Sequence, residues 1–219
     1  MTKKQKALEL SLSTAYKIVI HTLQDHMGYN SDIDTQNMKD SALRSARGFL
    51  DLIKPLEEIQ REIRKQVRKR FDTNDTSMVT VQNVIVTSMC PHHFLPVVYR
   101  ITMSYLPYTG GRKRVIGLSK PARIAELLAA RPVLQETLAT DIGDVLAHNF
   151  AEDPQFPGIK SSGCGVVVEG LHMCMACRGV RQHGARAIIQ KLHGAYMENP
   201  MVREEFMAIF QSNRPQNII

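Results

Sequence analysis

The sequence predicts an α+β fold, an antiparallel sheet backed by helices with further helices leading in. Two observations carry this. Apolar residues recur at helical spacing through the first third of the chain, and from Met78 the pattern changes to β-branched runs bounded by turn residues. Leu8, Leu10, Leu12, Ala15, Ile18, Val19 and Leu23 predict a helix over 3–27, with Gly28 as its stop and a turn from Tyr29 to Thr35. A second helix is expected over about 38–53, ended by Pro55. Leu56, Ile59, Ile63 and Val67 then mark a third, and 72–76 reads as a loop. Val79, Val81, Val84 and Val86 predict a strand. A second strand over 97–105 is expected to form a hairpin with 115–118 through a loop containing Gly110-Gly111. Ser119 is placed as the N-cap of a helix through Arg131, and Pro132 precedes a further helix to about Phe150. Residues 152–163 read as a loop, 165–175 and about 185–192 as strands, and Pro200 as the start of a terminal helix.

At 219 residues and 43% hydrophobic the chain can bury a core without a disulfide scaffold. The change of pattern divides it into an N-terminal helical region, 1–75, and a catalytic domain, 76–219. Four cysteines and no charged-then-apolar leader lead to the expectation of a reducing, cytoplasmic location. No stretch approaches the ~20 apolar residues of a membrane span. Residues 61–70 alone carry +5 of the +7 net charge. Such a run on a helix reads first as a solvated face, so no nucleic-acid partner is expected from it.

Two short segments hold the chemistry: Cys90-Pro91-His92-His93 and His172-Met173-Cys174-Met175-Ala176-Cys177. Thiolate with imidazole suits zinc. A closed site of Cys90, His93, Cys174 and Cys177 is one reading. Extended geometry over 170–177 argues against it, because it puts His172 and Cys174 on one face and Cys177 on the other, with no turn residue between the cysteines. Cys90, His93 and Cys174 then remain as ligands with a fourth position open, the arrangement of a catalytic zinc. His92 and His172 would lie beside it as general acid or base, since imidazole titrates near neutral pH.

At these residues the sequence resembles the zinc-dependent GTP cyclohydrolase I family. The segment from Met78 through Cys90, His92, His93 and Phe94 is similar to the strand that leads into the family's Cys-Glu-His-His motif. Gly117-Leu118-Ser119-Lys120 with Arg123 resembles its Gly-Leu-Ser-Lys-x-x-Arg, and Arg131-Pro132 with Gln135-Glu136 its Arg-Pro-x-x-Gln-Glu. His172 to Val180 resembles His-x-Cys-x-x-x-Arg-Gly-Val, and Arg203 to Phe206 the terminal Arg-x-Glu-Phe. The resemblance spans about 38–210. It implies a tunnelling fold assembled into a homo-oligomeric ring, usually a decamer, with active sites between subunits. It also implies hydrolysis of GTP to formate and 7,8-dihydroneopterin triphosphate. Carried over residue by residue, Cys90, His93 and Cys174 bind Zn2+, and His92 and His172 handle protons. Glu136 with Gln135 grips guanine. Ser119, Lys120, Arg123 and Arg178 hold the triphosphate, with Arg44 reaching in from a neighbouring subunit. A carboxylate can accept both guanine N1–H and N2–H, and clustered cations suit a triphosphate.

Pro91 stands where the family has Glu. Cys177 replaces a residue that is commonly apolar or small, and Ala187-Ile188-Ile189-Gln190-Lys191 takes the place of a hydroxyl-rich strand. Two alternatives follow. One is a diverged cyclohydrolase that stops at a ring-opened intermediate or uses another purine nucleotide. The other is a catalytically silent zinc protein that binds nucleic acid or a partner through 61–70.

Overall fold

The computed structural model describes residues 3–108, 113–147 and 161–212. The chain divides into two compact units, Met1–Lys54 and Pro55–Ile219.

The first unit is helical. Helix α1 (Lys3–Met27) ends where expected, at Gly28, whose φ of 77° is the left-handed conformation that closes a helix and that glycine adopts without strain. The expected turn at 29–35 is overturned in its second half by α2 (Asp32–Met38). Ser31 caps this helix by accepting from the Asp34 N–H at 3.1 Å, a short-range signal that the apolar pattern does not carry. Helix α3 (Ser41–Leu52) packs on α1 through the buried Ala42 and Ala46, small residues that let two helices approach closely; Arg47 pairs with Glu9 at 3.2 Å.

In the second unit, α4 (Leu56–Arg68) turns Ile59, Ile63 and Val67 into the main core. The unit boundary lies at Lys54 rather than near residue 75 because α4 packs with the catalytic half, against α5 (Ser119–Ala129). The central sheet is four-stranded and antiparallel. Its order is β2 (Val79–Met89), β3 (Pro96–Pro107), β5 (Ser161–His172), β6 (Ala187–Gly194). The α+β architecture expected from the sequence is the one observed. The hairpin between 97–105 and 115–118 does not form: β4 (Arg114–Ile116) pairs instead with β1 (Arg70–Asp72), which takes the expected end of the third helix and the first residue of the expected loop. The Gly110-Gly111 turn, the expected helix end near Phe150 and the loop over 152–160 lie outside the described residues, while 161–163 belong to β5.

Alternation sets the two faces of the sheet. Val97, Tyr99, Ile101, Met103 and Tyr105 of β3, with Cys164, Val166 and Val168 of β5, meet α4, α5 and α6 (Gln135–Ala147). On the other face Val167 packs with Tyr196 of α8 (Ala195–Glu198) and with Phe206 and Phe210 of α9 (Pro200–Ser212). That face also buries Arg100 against its register partner Glu169, with Nε donating to Oε2 at 2.7 Å. Both edges of the sheet, β2 and β6, lack a further strand among the described residues.

Candidate active site

The site forms at the end of the sheet where β2 turns into β3 and β5 ends. The turn from Cys90 to Leu95 is closed by two backbone bonds, Cys90 N–H to Leu95 O and Phe94 N–H to Cys90 O, each 2.9 Å. It holds Phe94 at φ 52°, a strained conformation for a bulky residue and one that aims its neighbour His93. Cys90 Sγ lies 3.6 Å from His93 Nδ1 and 4.0 Å from Cys174 Sγ. The ligand atoms of all three lie within 4.8 Å of one another, the one group of this kind among the described residues. Tetrahedral coordination with Zn–S near 2.3 Å and Zn–N near 2.05 Å requires separations of about 3.8 Å for two sulfurs and about 3.6 Å for sulfur and nitrogen. The donor set and its spacing therefore fit a metal ion. Burial pushes the Cys174 thiol above its ordinary value, with Cys90 adding to the shift.

Cys177 is outside this group, but not for the reason the sequence offered. The strand stops at His172, and Met173–Ala176 is a helical turn, α7, so Cys174 is not on an extended segment. On a helix, residues three apart share a face, which by itself would favour Cys177. Instead its Sγ is turned back onto the Met173 carbonyl at 2.8 Å.

His172 sits at the strand end with its ring half-buried. Gln135 at the start of α6 donates one amide hydrogen to Val168 O at 2.8 Å and the other to Ala187 O at 3.0 Å. Its Oε1 must therefore accept, and at 2.8 Å it takes the proton of His172 Nε2. This fixes the imidazole tautomer and leaves Nδ1 as an acceptor. Burial lowers the His172 pKa, opposed by the Glu136 carboxylate. The Gln135 side chain, 4% exposed, is thus fully engaged with the protein, whereas Glu136 is exposed and makes no hydrogen bond among the described residues. His92 is exposed and packs edge-on to His93, ring centroids 6.2 Å apart.

The connection from α5 to α6 is stitched to β2. Ser88 Oγ donates to Arg131 O at 3.0 Å and Val133 N–H donates to Met89 O at 3.2 Å, next to Cys90; Arg131 also pairs with Asp141. Ser119 is the first residue of α5 rather than its cap; Leu118 holds the cap position without a side-chain bond. Lys120 is buried and donates to Gln66 Oε1 at 3.0 Å. Desolvation lowers its pKa, and the charges of Arg123 and Lys69 lower it further, so three cations share one locality. Lys69 belongs to the 61–70 run that sequence reasoning left as a solvated face. Elsewhere in that run Lys65 and Arg61 bond to Glu62, which fits the solvated reading. Arg178 stands apart from the cation group described around Lys120 in one respect: its Nη2 lies 3.4 Å from His93 Nε2. Arg44 is exposed on α3 of the first unit and pairs with Asp40 at 3.6 Å.

The sequence profile of GTP cyclohydrolase I matches residues 19–211. The chain belongs to that family. Relatives named GTP cyclohydrolase 1 include one from Dehalococcoides mccartyi (strain CBDB1), 33% identical over 180 residues, covering 82% of this chain and 88% of that protein. Another, from Thermobifida fusca, is 31% identical over 188 residues and covers 86% and 84%. The rat protein is 30% identical over 202 residues and covers 92% and 75%.

Proposed function

We propose that this chain is a GTP cyclohydrolase I that holds one zinc ion on Cys90, His93 and Cys174 and opens the imidazole ring of GTP. The observation that carries the reading is the Cys/His/Cys cluster at tetrahedral spacing, at the strand end that also bears a tautomer-fixed His172, in a chain of this family. When bound, the zinc supplies Lewis acidity that brings water toward ionisation near neutral pH. The chain's own groups do the rest. Glu136, exposed and without a hydrogen bond among the described residues, accepts guanine N1–H and N2–H. His172, with Nε2–H held by Gln135, offers Nδ1 to a proton at the C8 side, and His92 is the second proton-transfer group. Lys120, Arg123, Arg178 and Ser119 at the start of α5 take the triphosphate, joined by Lys69. An imidazole that binds metal through Nδ1 carries its proton on Nε2. That would end the Arg178 contact to His93 and leave the guanidinium for an anion.

In sum GTP takes up one water and yields formate and 7,8-dihydroneopterin triphosphate, two waters entering at ring opening and deformylation and one leaving on ring closure. The protein is expected to work as a homo-oligomeric ring. The open edges of β2 and β6 support assembly by strand addition, and Arg44 would reach a neighbour's site. Membrane partners are not expected: no helix among the described residues is long and apolar enough to cross a membrane.

A second reading, arrest after ring opening, is supported by β6, where Ala187, Ile188 and Ile189 bring no hydroxyl and Gln190 and Lys191 follow. Incubating zinc-loaded protein with GTP while measuring formate and pterin fluorescence separately tests both readings. Formate and pterin in equal amounts are expected from the full reaction; a formamidopyrimidine nucleotide found by mass with no formate marks arrest at ring opening, and formate without pterin marks arrest after deformylation. Retained zinc with GTP recovered unchanged would refute both and favour the silent zinc protein.

A further inference from the structure

Three tyrosines of the catalytic unit are fully buried: Tyr99, Tyr105 and Tyr196. Two have partners for their hydroxyls. Tyr105 Oη accepts from Ile116 N–H at 3.2 Å, and Tyr196 Oη shares a bond with Ser104 Oγ at 2.7 Å. Tyr99 Oη reaches no solvent and has no hydrogen-bond partner among the described residues. A buried donor left unpaired is a standing cost that phenylalanine would avoid, so its retention points to a partner that is not part of the protein.

The surroundings indicate where that partner would be. Tyr99 is the register partner of Gly170 on β5, and its ring fills the notch that this glycine leaves. A Cβ at Gly170 would come within 2.9 Å of Tyr99 Cε1, 2.5 Å of Gln135 Oε1 and 3.0 Å of His172 Nε2. The ring stands edge-on to the His172 imidazole, centroids 5.8 Å apart at 80°. Tyr99 is therefore packed into the Gln135–His172 pair, at the end of the sheet that carries Cys90 and Cys174. Burial, then Cys90, Glu136 and Cys174, push its pKa upward, so the phenol keeps its proton at neutral pH.

We infer that the Tyr99 hydroxyl, uncovered by a shift of its surroundings as the nucleotide seats, is a further substrate contact, donating a hydrogen bond to N7 or O6 of the guanine held at this site. The inference rests on the GTP-opening reading above. If Glu136 takes N1–H and N2–H and the metal site faces C8, the purine edge between them carries two acceptors, O6 and N7. A protonated phenol fits that edge, where neither Glu136 nor a metal cation can donate.

The test is Tyr99→Phe in the zinc-loaded protein. Formate release from GTP, GTP affinity, zinc content and thermal midpoint are measured, together with the affinities for 7-deaza-GTP, which lacks the N7 acceptor, and for 2-aminopurine riboside triphosphate, which lacks O6 and with it the N1–H that Glu136 takes. The expected result is a fall in kcat/KM of about tenfold or more with zinc retained and the midpoint unchanged or raised, since the lost hydroxyl had no partner in the fold. Wild type should also discriminate against one of the two analogues through Tyr99, so Tyr99→Phe should narrow that gap to GTP, while the part of the 2-aminopurine gap set by Glu136 stays in both proteins. Equal kcat/KM and equal discrimination in variant and wild type would overturn the inference alone. A fall in activity accompanied by zinc loss or a lowered midpoint would assign Tyr99 a structural role and overturn it as well. A wild type that neither binds nor opens GTP would overturn the inference and the proposed function together.

Discussion

Replacing Gln135 with Leu keeps the volume of the side chain but removes the three hydrogen bonds that tie the start of α6 to β5, to β6 and to His172. At 4% exposure water cannot replace them. With a net contribution of about 1 kcal/mol each, and two strand carbonyls left without this donor, the loss should be about 2–4 kcal/mol. For a chain of this size that corresponds to a fall in Tm of about 5–12 °C. The catalytic effect should exceed the stability effect, because in the wild type Gln135 Oε1 demands a proton on His172 Nε2, and in Gln135→Leu the imidazole is free to place it on either nitrogen. Formate release should therefore fall mainly in kcat, with KM for GTP changed little. Thermal melts at fixed protein and zinc concentration, paired with steady-state kinetics, read both quantities. A Tm within 2 °C of wild type together with an unchanged kcat would refute the clamp and the tautomer argument built on it.

Cys90→Ser, His93→Ala and Cys174→Ser should each lose zinc by metal analysis, while Cys177→Ser should keep it at one per chain; comparable loss from Cys177→Ser would return the closed four-ligand site. Glu136→Ala should lose about 2–4 kcal/mol of kcat/KM toward GTP with its zinc intact, since guanine's two donors lose their acceptor; wild-type turnover would remove Glu136 from base recognition. On the opposite face of the sheet, Glu169→Ala removes the carboxylate that accepts from Arg100 Nε in a buried ion pair and should destabilise by about 3–5 kcal/mol in denaturant unfolding. The double variant Arg100→Met, Glu169→Leu should be less damaging than either single loss, and additive damage would disprove the coupling.

Local signals were the readable part. Gly28 ends α1 as its position after a periodic run required, and the β-branched runs from Val79 and Val97 became neighbouring strands. What escaped was either set by a single polar side chain, as with the Ser31 cap of α2, or by pairing across distance, as with β1 and β4. Three residues of β1 carry no alternation long enough to register, and their partner lies some forty positions away. The Cys174 argument shows how a local conformation can be misread without disturbing the outcome. The run Gly170 to Cys177 is apolar enough for a strand, yet it turns helical after His172, and only the Cys177 contact to Met173 separates the two thiols. The resemblance places Gln135 beside Glu136 at guanine; its side chain faces inward onto Val168 O, Ala187 O and His172, a difference of one helical position that a motif cannot express. Tyr99 was silent because an aromatic residue in an alternating strand is the ordinary content of a core.

The backbone stitch between Met89 and Val133 gives the site a fixed gauge. Cys90 follows one end of the stitch directly, and Gln135 and Glu136 come two and three residues after the other. The proposed metal ligand and the carboxylate proposed to read the base are thus held apart by a handful of covalent bonds on either side of a single crosslink. A purine has an invariant length from C8 to its N1 edge, so such a gauge need be cut only once. A change of base preference would then have to come by exchanging the group at residue 136, since sliding it would also drag Gln135 off His172. One inserted residue between Val133 and Gln135 should therefore silence ring opening while leaving the metal cluster, on the other arm, able to load.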